Sequence, residues 1–231
     1  MKLTYIYHSG FALEDEDLTI IIDYCKDSPD NVLHDYLLER PGQLYVLISH
    51  SHADHFNPEV LLWKERKPGI KYIFSSDVPR YEGVTYLEKG ESYRDQCLKI
   101  KAFGSTDIGI SFLIEVKGKL IFHAGDLNNW HWNEESTPEE SKEYETAYLK
   151  ELELLAQTTD HLDLAMFPVD PRLGKDFMRG AEQFVDRIRT SLFSPMHFWE
   201  KYDKAALFRG YAEKQGSRFI EWTRPGESIN F

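Results

Sequence analysis

Residues 45–58 read YVLISHSHADHFNP. A short apolar run ends in His50, Ser51, His52, Ala53, Asp54 and His55, and Asn57 with Pro58 has the form of a helix cap and first helical position. Residues two apart in an extended segment face the same way, so His50 and His52 can present imidazoles to one cation where the strand runs out. Asp54 and His55 fall in the turn beyond, where the chain bends and can face a second ion. Imidazole with carboxylate suits zinc, iron or manganese, and sulfur plays no part. With nine histidines and seventeen aspartates in 231 residues, H-x-H-x-D-H arises by accident on the order of once in a thousand such chains. A polar loop with chance histidines is therefore the weaker reading.

The pattern resembles the defining motif of the metallo-β-lactamase superfamily of metallohydrolases. Further landmarks in the same order extend the resemblance over essentially the whole chain, which implies a single domain, residues 1–231. Apolar strands alternating with helices, with polar candidates at strand ends, argue independently for a layered α/β protein. The resemblance supplies the layer count, a four-layer αβ/βα sandwich.

Composition narrows the partners. The chain carries 42% hydrophobic residues, enough for a sizeable core, and 27 Lys and Arg against 39 Asp and Glu, a formal charge of −12. That balance argues against a surface built to neutralise nucleic-acid phosphates. The N-terminal MKLTYIYHSGF has no basic segment followed by a long apolar core, and no run approaches the roughly 20 apolar residues of a membrane helix. A cytoplasmic protein acting on a small molecule is expected, with no membrane partner and with homo-oligomerisation left open. Cys25 and Cys97 lack C-x-x-C spacing and read as buried or half-buried thiols.

Along the chain, residues 3–7 and 18–22 read as two strands of a hairpin around the acidic EDED stretch. Residues 31–39 read as a short helix with His34 on its face, and a further helix runs from Pro58 to about Arg66. Short strands follow at 71–74, 84–86 and 97–103, then a hairpin turning at 117–119. Thr137 caps a helix to about Gln157 whose buried stripe is expected to hold Tyr144, Ala147, Tyr148, Leu152 and Leu155. Residues 162–169 form a strand, 177–189 a helix, 204–215 a last helix ended by Gly216, and 218–222 a last strand. No internal repeat is obvious.

The resemblance assigns roles position by position. Asp23, closing LTIIID, matches the aspartate that supports the ligand loop, against an ordinary strand-end cap. His8, in the YHSGF loop, matches a residue beside the metal centre in lactonase-like members, against a solvated turn histidine. Asp126, ending LIFHAGD, matches the bridging aspartate, and His123 before it reads as structural or as a support behind the ligands. His197, in PMH, matches the last ligand, whereas alone it would read as a buried, satisfied histidine. The metal ligands implied are thus His50, His52, Asp54, His55, Asp126 and His197. One expected ligand is replaced: Ser105 stands where a histidine belongs, and a hydroxyl is a weak zinc ligand. The first site would then keep His50, His52 and Asp126, unless Asp107 or His8 substitutes, and the second Asp54, His55, Asp126 and His197. His131, between Trp130 and Trp132, either walls a pocket or belongs to a tryptophan pair covering core. Asp170 rims the pocket in the resemblance, with Arg172, Lys175 and Arg179 either meeting an anionic substrate or forming a solvated cluster.

The early YHSGF, the HAGD and the PMH look most like the L-ascorbate-6-phosphate lactonase-like branch. The activity implied is hydrolysis of an ester, lactone or phosphodiester by metal-activated water, with one or two divalent ions, zinc first and manganese or iron as alternatives. Asp54 would orient that water and accept its proton. The competing readings are a mononuclear iron oxygenase or redox enzyme of the same fold and a degenerate binding protein that has kept the fold.

Overall fold

The chain opens as an antiparallel meander of β1 (Lys2–Tyr7), β2 (Gly10–Asp15) and β3 (Leu18–Ile22). The expected hairpin therefore lacked its middle strand. Gly10 and the acidic residues 14–17 concealed it, yet Phe11, Ala12 and Leu13 are buried. Glu14 is buried too, accepting from Thr4 Oγ1 at 2.7 Å and lying 3.1 Å from Lys2 Nζ and 3.3 Å from Arg40 Nη1. Those partners supply the hydrogen bonds and opposite charge without which a strand could not bury a carboxylate.

The computed structural model describes residues 1–231. Its contacts group into two units, residues 1–87 with 222–231, and residues 88–221. In the first unit β4 (Gln43–Ile48), β5 (Lys71–Ser75) and β6 (Val84–Leu87) add in parallel beyond β3, and the C-terminal strand Ser228–Asn230 pairs antiparallel with β1, giving seven strands. The near-continuous apolar runs of β3 and β4 fit strands covered on both faces. Gly42 enters β4 at φ 85°, where a Cβ would sit 2.0 Å from the Asp17 carbonyl oxygen, so only glycine fits. The helix expected over 31–39 is a single turn, Val32–Asp35, broken at Tyr36 (φ −131°) and followed by a 3₁₀ turn, Leu37–Glu39. Pro58–Glu65 is likewise 3₁₀, its first turn capped by Asn57, which accepts from Glu59 N. Leu33, Leu38, Val46, Phe56, Val60, Trp63 and Phe74 form part of the core that these elements close.

The second unit repeats that arrangement with different residues. Its strands are β7 (Ser92–Arg94), β8 (Leu98–Gly104), β9 (Ile110–Val116), β10 (Lys119–His123), β11 (His161–Pro168), β12 (Arg189–Met196) and β13 (Arg218–Phe219). From β7 to β10 the pairings are antiparallel, and from β10 to β13 parallel. The order β8 to β13 thus reproduces β1 to β6, a duplication that residue identities hide. In both units the polar candidates follow parallel strands at their C-terminal ends: Asp23 after β3, His50 to His55 after β4, Asp126 after β10, Asp170 after β11 and His197 after β12.

Helix Pro138–Ala156 carries the full capping box, Thr137 with Glu140. Its buried stripe is narrower than expected: Tyr148, Leu152 and Leu155 are covered, whereas Tyr144 and Ala147 are exposed. Tyr148 donates to the Gly180 carbonyl at 2.7 Å and so pins this helix to helix Arg179–Arg187, where Ala181, Phe184 and Val185 face the core. The last expected helix is broken into Tyr202–Ala205, a 3₁₀ turn and Arg209–Lys214, with Gly216 at φ 86° beyond its end. Cys25 is half-buried, as expected, but Cys97 is exposed.

Candidate metal centre

In the first unit the arrangement starts from Asp23, fully buried at φ 49°. Its Oδ1 accepts from Ser49 N at 2.7 Å, and its Oδ2 accepts from Ser49 Oγ at 2.6 Å and pairs with His55 Nδ1 at 2.8 Å. Ser49 Oγ in turn lies 2.9 Å from His50 Nδ1. Since the Ser49 proton goes to Asp23, that oxygen accepts from His50. Both histidines then carry their proton on Nδ1, and Nε2 is the nitrogen suited to a cation.

The rings gather. His50 lies 4.1 Å from His55 and 4.8 Å from His52, centroid to centroid, and His8 lies 5.7 Å from His55. His8 is fully buried in the tight β1–β2 turn at φ 55°, its amide donating to Tyr5 Oη, and its Nε2 is 3.4 Å from Asp54 Oδ2. One ligand atom from each of His8, Asp54 and His55 lies within 4.8 Å of the others. His52 is exposed, and the loop it sits in is tied down by Ser51 N donating to Asp77 and by a helical turn in which His55 N and Phe56 N both donate to His52 O. Buried imidazoles this close would repel if protonated; as neutral donors beside a carboxylate they suit a divalent cation. Burial, with the Asp54 and Asp23 charges nearby, pushes the Cys25 thiol up to about 12.

In the second unit Asp126 sits in the turn after β10, nearly buried. Gly125 at φ 53° makes that turn, Trp130 Nε1 donates to Asp126 O at 2.8 Å, and Thr106 Oγ1 both donates to Asn128 O and accepts from Asn128 N. His197 follows β12 at φ 60°, with Nε2 3.3 Å from Asp126 Oδ1 and Nδ1 2.9 Å from Asp170 Oδ2. Its ring meets Trp130 edge-on at 5.4 Å. Burial works to raise the fully buried Asp170 carboxyl, but its hydrogen bonds to His197 and Arg172 outweigh it and hold the group below its ordinary range. Trp132 and Trp199 also occupy the left-handed region, at φ 42° and 54°. Bulky residues in that conformation cost about 1–3 kcal/mol each and cluster where a ligand is clamped.

Other expected residues take quieter parts. His123 Nδ1 accepts from Gly125 N at 3.1 Å, in keeping with a structural role. Ser105 Oγ accepts from Asp107 N at 3.2 Å and so caps its own turn. His131 is buried, accepts from Asn133 N on Nδ1 and donates from Nε2 to Asp176 O. Burial draws its pKa down, and both nitrogens are committed to the backbone, so His131 braces the loop rather than reaching toward a substrate. Trp130 and Trp132 stack at 6.2 Å. Ser49 and Thr106 went unnoticed in the sequence; for Ser49 the only signal was a hydroxyl adjoining the first motif histidine.

Residues 2–142 match the family model described as the β-lactamase superfamily domain. The chain belongs to the metallo-β-lactamase superfamily. Relatives at low identity include proteins named UPF0173 metal-dependent hydrolase. That of Desulforamulus reducens is 25% identical over 253 residues, 99% of each chain, and that of Thermus thermophilus 26% identical over 225 residues, 86% of this chain and 84% of its own. Among solved structures, a metallo hydrolase from Ignicoccus hospitalis is similar at TM-score 0.69 and 19% identity, covering 100% of this chain and 97% of its own. The diiron β-hydroxylase CmlA of Streptomyces venezuelae is similar at TM-score 0.68 and 14% identity, covering 100% of this chain and 54% of its own. These likenesses establish the metallo-β-lactamase fold, the α/β class that the sequence implied. No helix is long and apolar enough to cross a membrane.

Proposed function

We propose that this member of the metallo-β-lactamase superfamily is a metal-dependent hydrolase of an ester, lactone or phosphodiester bond in a small molecule. The ligands are His50, His52, Asp54, His55, Asp126 and His197, with zinc the favoured ion. The observation that carries the reading is the pair of buried carboxylate–imidazole bonds, Asp23 to His55 and Asp170 to His197. Such bonds fix the tautomer and ring angle that metal-binding histidines need. The name carried by the UPF0173 relatives supports the same reading. The family match, running from residue 2 to residue 142, enters both units and supports treating residues 1–231 as one domain.

A bound divalent cation supplies a water acidified toward neutral pH and positive charge for a developing oxyanion. Asp54, 28% exposed and 3.4 Å from His8, would orient that water and accept its proton. Asp23 and Ser49 hold His50 and His55 against rotation. The Ser105 hydroxyl, engaged in its own turn, would leave the first ion with only His50 and His52 as imidazole ligands and so the more weakly held of the two. The acidic charge of −12 fits a cytoplasmic enzyme that does not bind nucleic acid.

Metal content by plasma mass spectrometry, on protein purified without chelators, tests the reading. The parent should hold about one equivalent, rising in Ser105→His and vanishing in His197→Ala. No metal in any form would sink it.

A further inference from the structure

The two supporting carboxylates are held differently. Asp23 receives the amide and hydroxyl of Ser49, whereas Asp170 receives a guanidinium. Arg172 donates its backbone N to Asp170 Oδ1 at 2.9 Å, its Nε to Oδ2 at 2.9 Å and to Oδ1 at 3.1 Å, and its Nη2 to Oδ2 at 2.6 Å. That same Oδ2 pairs with His197 Nδ1 at 2.9 Å, and Nη2 itself stands 3.4 Å from His197 Nδ1. One oxygen is thus shared by a guanidinium and an imidazole.

The remaining side of the arrangement is aromatic. Arg172 lies over the Trp199 ring at 5.7 Å, and Trp199 is two residues beyond His197 in a turn where both are left-handed. Arg172, Asp170, His197 and Trp199 therefore close a ring across the ends of β11 and β12. A carboxylate pinned by a two-nitrogen fork cannot rotate away, so the angle at which His197 is held is set by Arg172.

We propose that Arg172 is a positioning residue for His197, acting through Asp170, in the ligand set put forward above and resting on that reading. It touches neither the cation nor the substrate in this role. Its side chain is 48% exposed, so it holds a buried ligand from the protein surface.

The test compares the demetallated parent with Arg172→Met, Arg172→Lys, Asp170→Asn and the double variant Asp170→Asn/Arg172→Met. Zinc affinity is read by competition with a chromophoric chelator. Loss of a group that orients a metal ligand costs about 10–100-fold in affinity. Arg172→Met should weaken zinc binding about tenfold or more, and Arg172→Lys should not restore it, because an ammonium cannot fork onto the carboxylate. The double variant should bind as Asp170→Asn does, since Arg172 works through Asp170. The His197 Nδ1–H signal in ¹⁵N NMR of the metal-free proteins should be sharp in the parent and broadened in Arg172→Met, with the circular dichroism spectrum unchanged. Equal zinc affinity and equal NMR signals in parent and Arg172→Met would overturn the proposal, as would additive losses in the double variant. A parent that takes no zinc sinks the hydrolase reading instead, and the NMR comparison then decides the role of Arg172 alone.

Discussion

Asp23 Oδ2 lies 2.8 Å from His55 Nδ1, and both side chains are fully buried. The same carboxylate accepts the Ser49 amide, so removing it orphans a backbone donor as well as an imidazole. Leaving a buried donor unsatisfied costs about 1–3 kcal/mol for each group orphaned. Asp23→Ala should lower stability by that order in urea unfolding of the metal-free protein. Asp23→Asn should retain the fold but lose about 10–100-fold in zinc affinity. A neutral effect of Asp23→Ala on both would mean that the ligand loop is held by other contacts.

Gly180 opens helix Arg179–Arg187 against the loop after Asp126. A Cβ there would stand 1.9 Å from Asn128 Oδ1 and 2.9 Å from Asn129 N. Overpacking of this kind costs about 1–3 kcal/mol. Gly180→Ala, although alanine is the better helix former, should therefore lower the melting temperature; a rise would show that the Asn128 loop yields freely.

His34 sits between two carboxylates, Nδ1 2.6 Å from Asp27 Oδ2 and Nε2 2.5 Å from Glu59 Oε1. Only the imidazolium can donate to both. Burial draws its pKa down, but the bonds to Asp27 and Glu59 outweigh burial and raise it. A folded-state pKa above the unfolded value of about 6.5 gives stability fully present below that pH and lost as pH climbs through the folded value. Urea midpoints measured at about pH 6 and about pH 9 should fall for the parent, and His34→Gln should flatten the difference. Equal slopes in the two proteins would exclude the clamp.

Thr137 and Glu140 satisfy each other's backbone amides at the head of helix Pro138–Ala156. Thr137→Ala should cost about 0.5–2 kcal/mol in denaturant, while Thr137→Ser, which keeps the hydroxyl, should cost little.

Much of this was legible in the sequence, for reasons that differ by element. The apolar runs of β3, β4 and β11 and the Thr137 cap are local signals, and the structure keeps them. Strand β2 was not legible because Glu14 looks like a turn residue until Thr4, Lys2 and Arg40 are brought to it by folding. Tyr144 was misread for the opposite reason: helical spacing brings it near the stripe, but the surface it covers is solvent. At the candidate site, His50 to His55 announce themselves by spacing. Ser49 as a bridge between Asp23 and His50, and Arg172 as a clamp on Asp170, depend on rotamers that no spacing encodes. Left-handed backbone at Trp199 is equally silent, since a bulky side chain rarely adopts it.

The strand Ser228–Asn230 finishes a sheet that begins at Lys2. Residues 88–221 form their unit from one uninterrupted stretch, whereas the first unit takes its last strand and Trp222, which stacks on Tyr5 at 5.5 Å, from beyond that stretch. Without that strand β1 would present an open edge, the kind of surface that pairs with other chains. The first sheet therefore depends on a segment more than 200 residues from the strand it covers, a closure over long sequence separation that the second unit does not need.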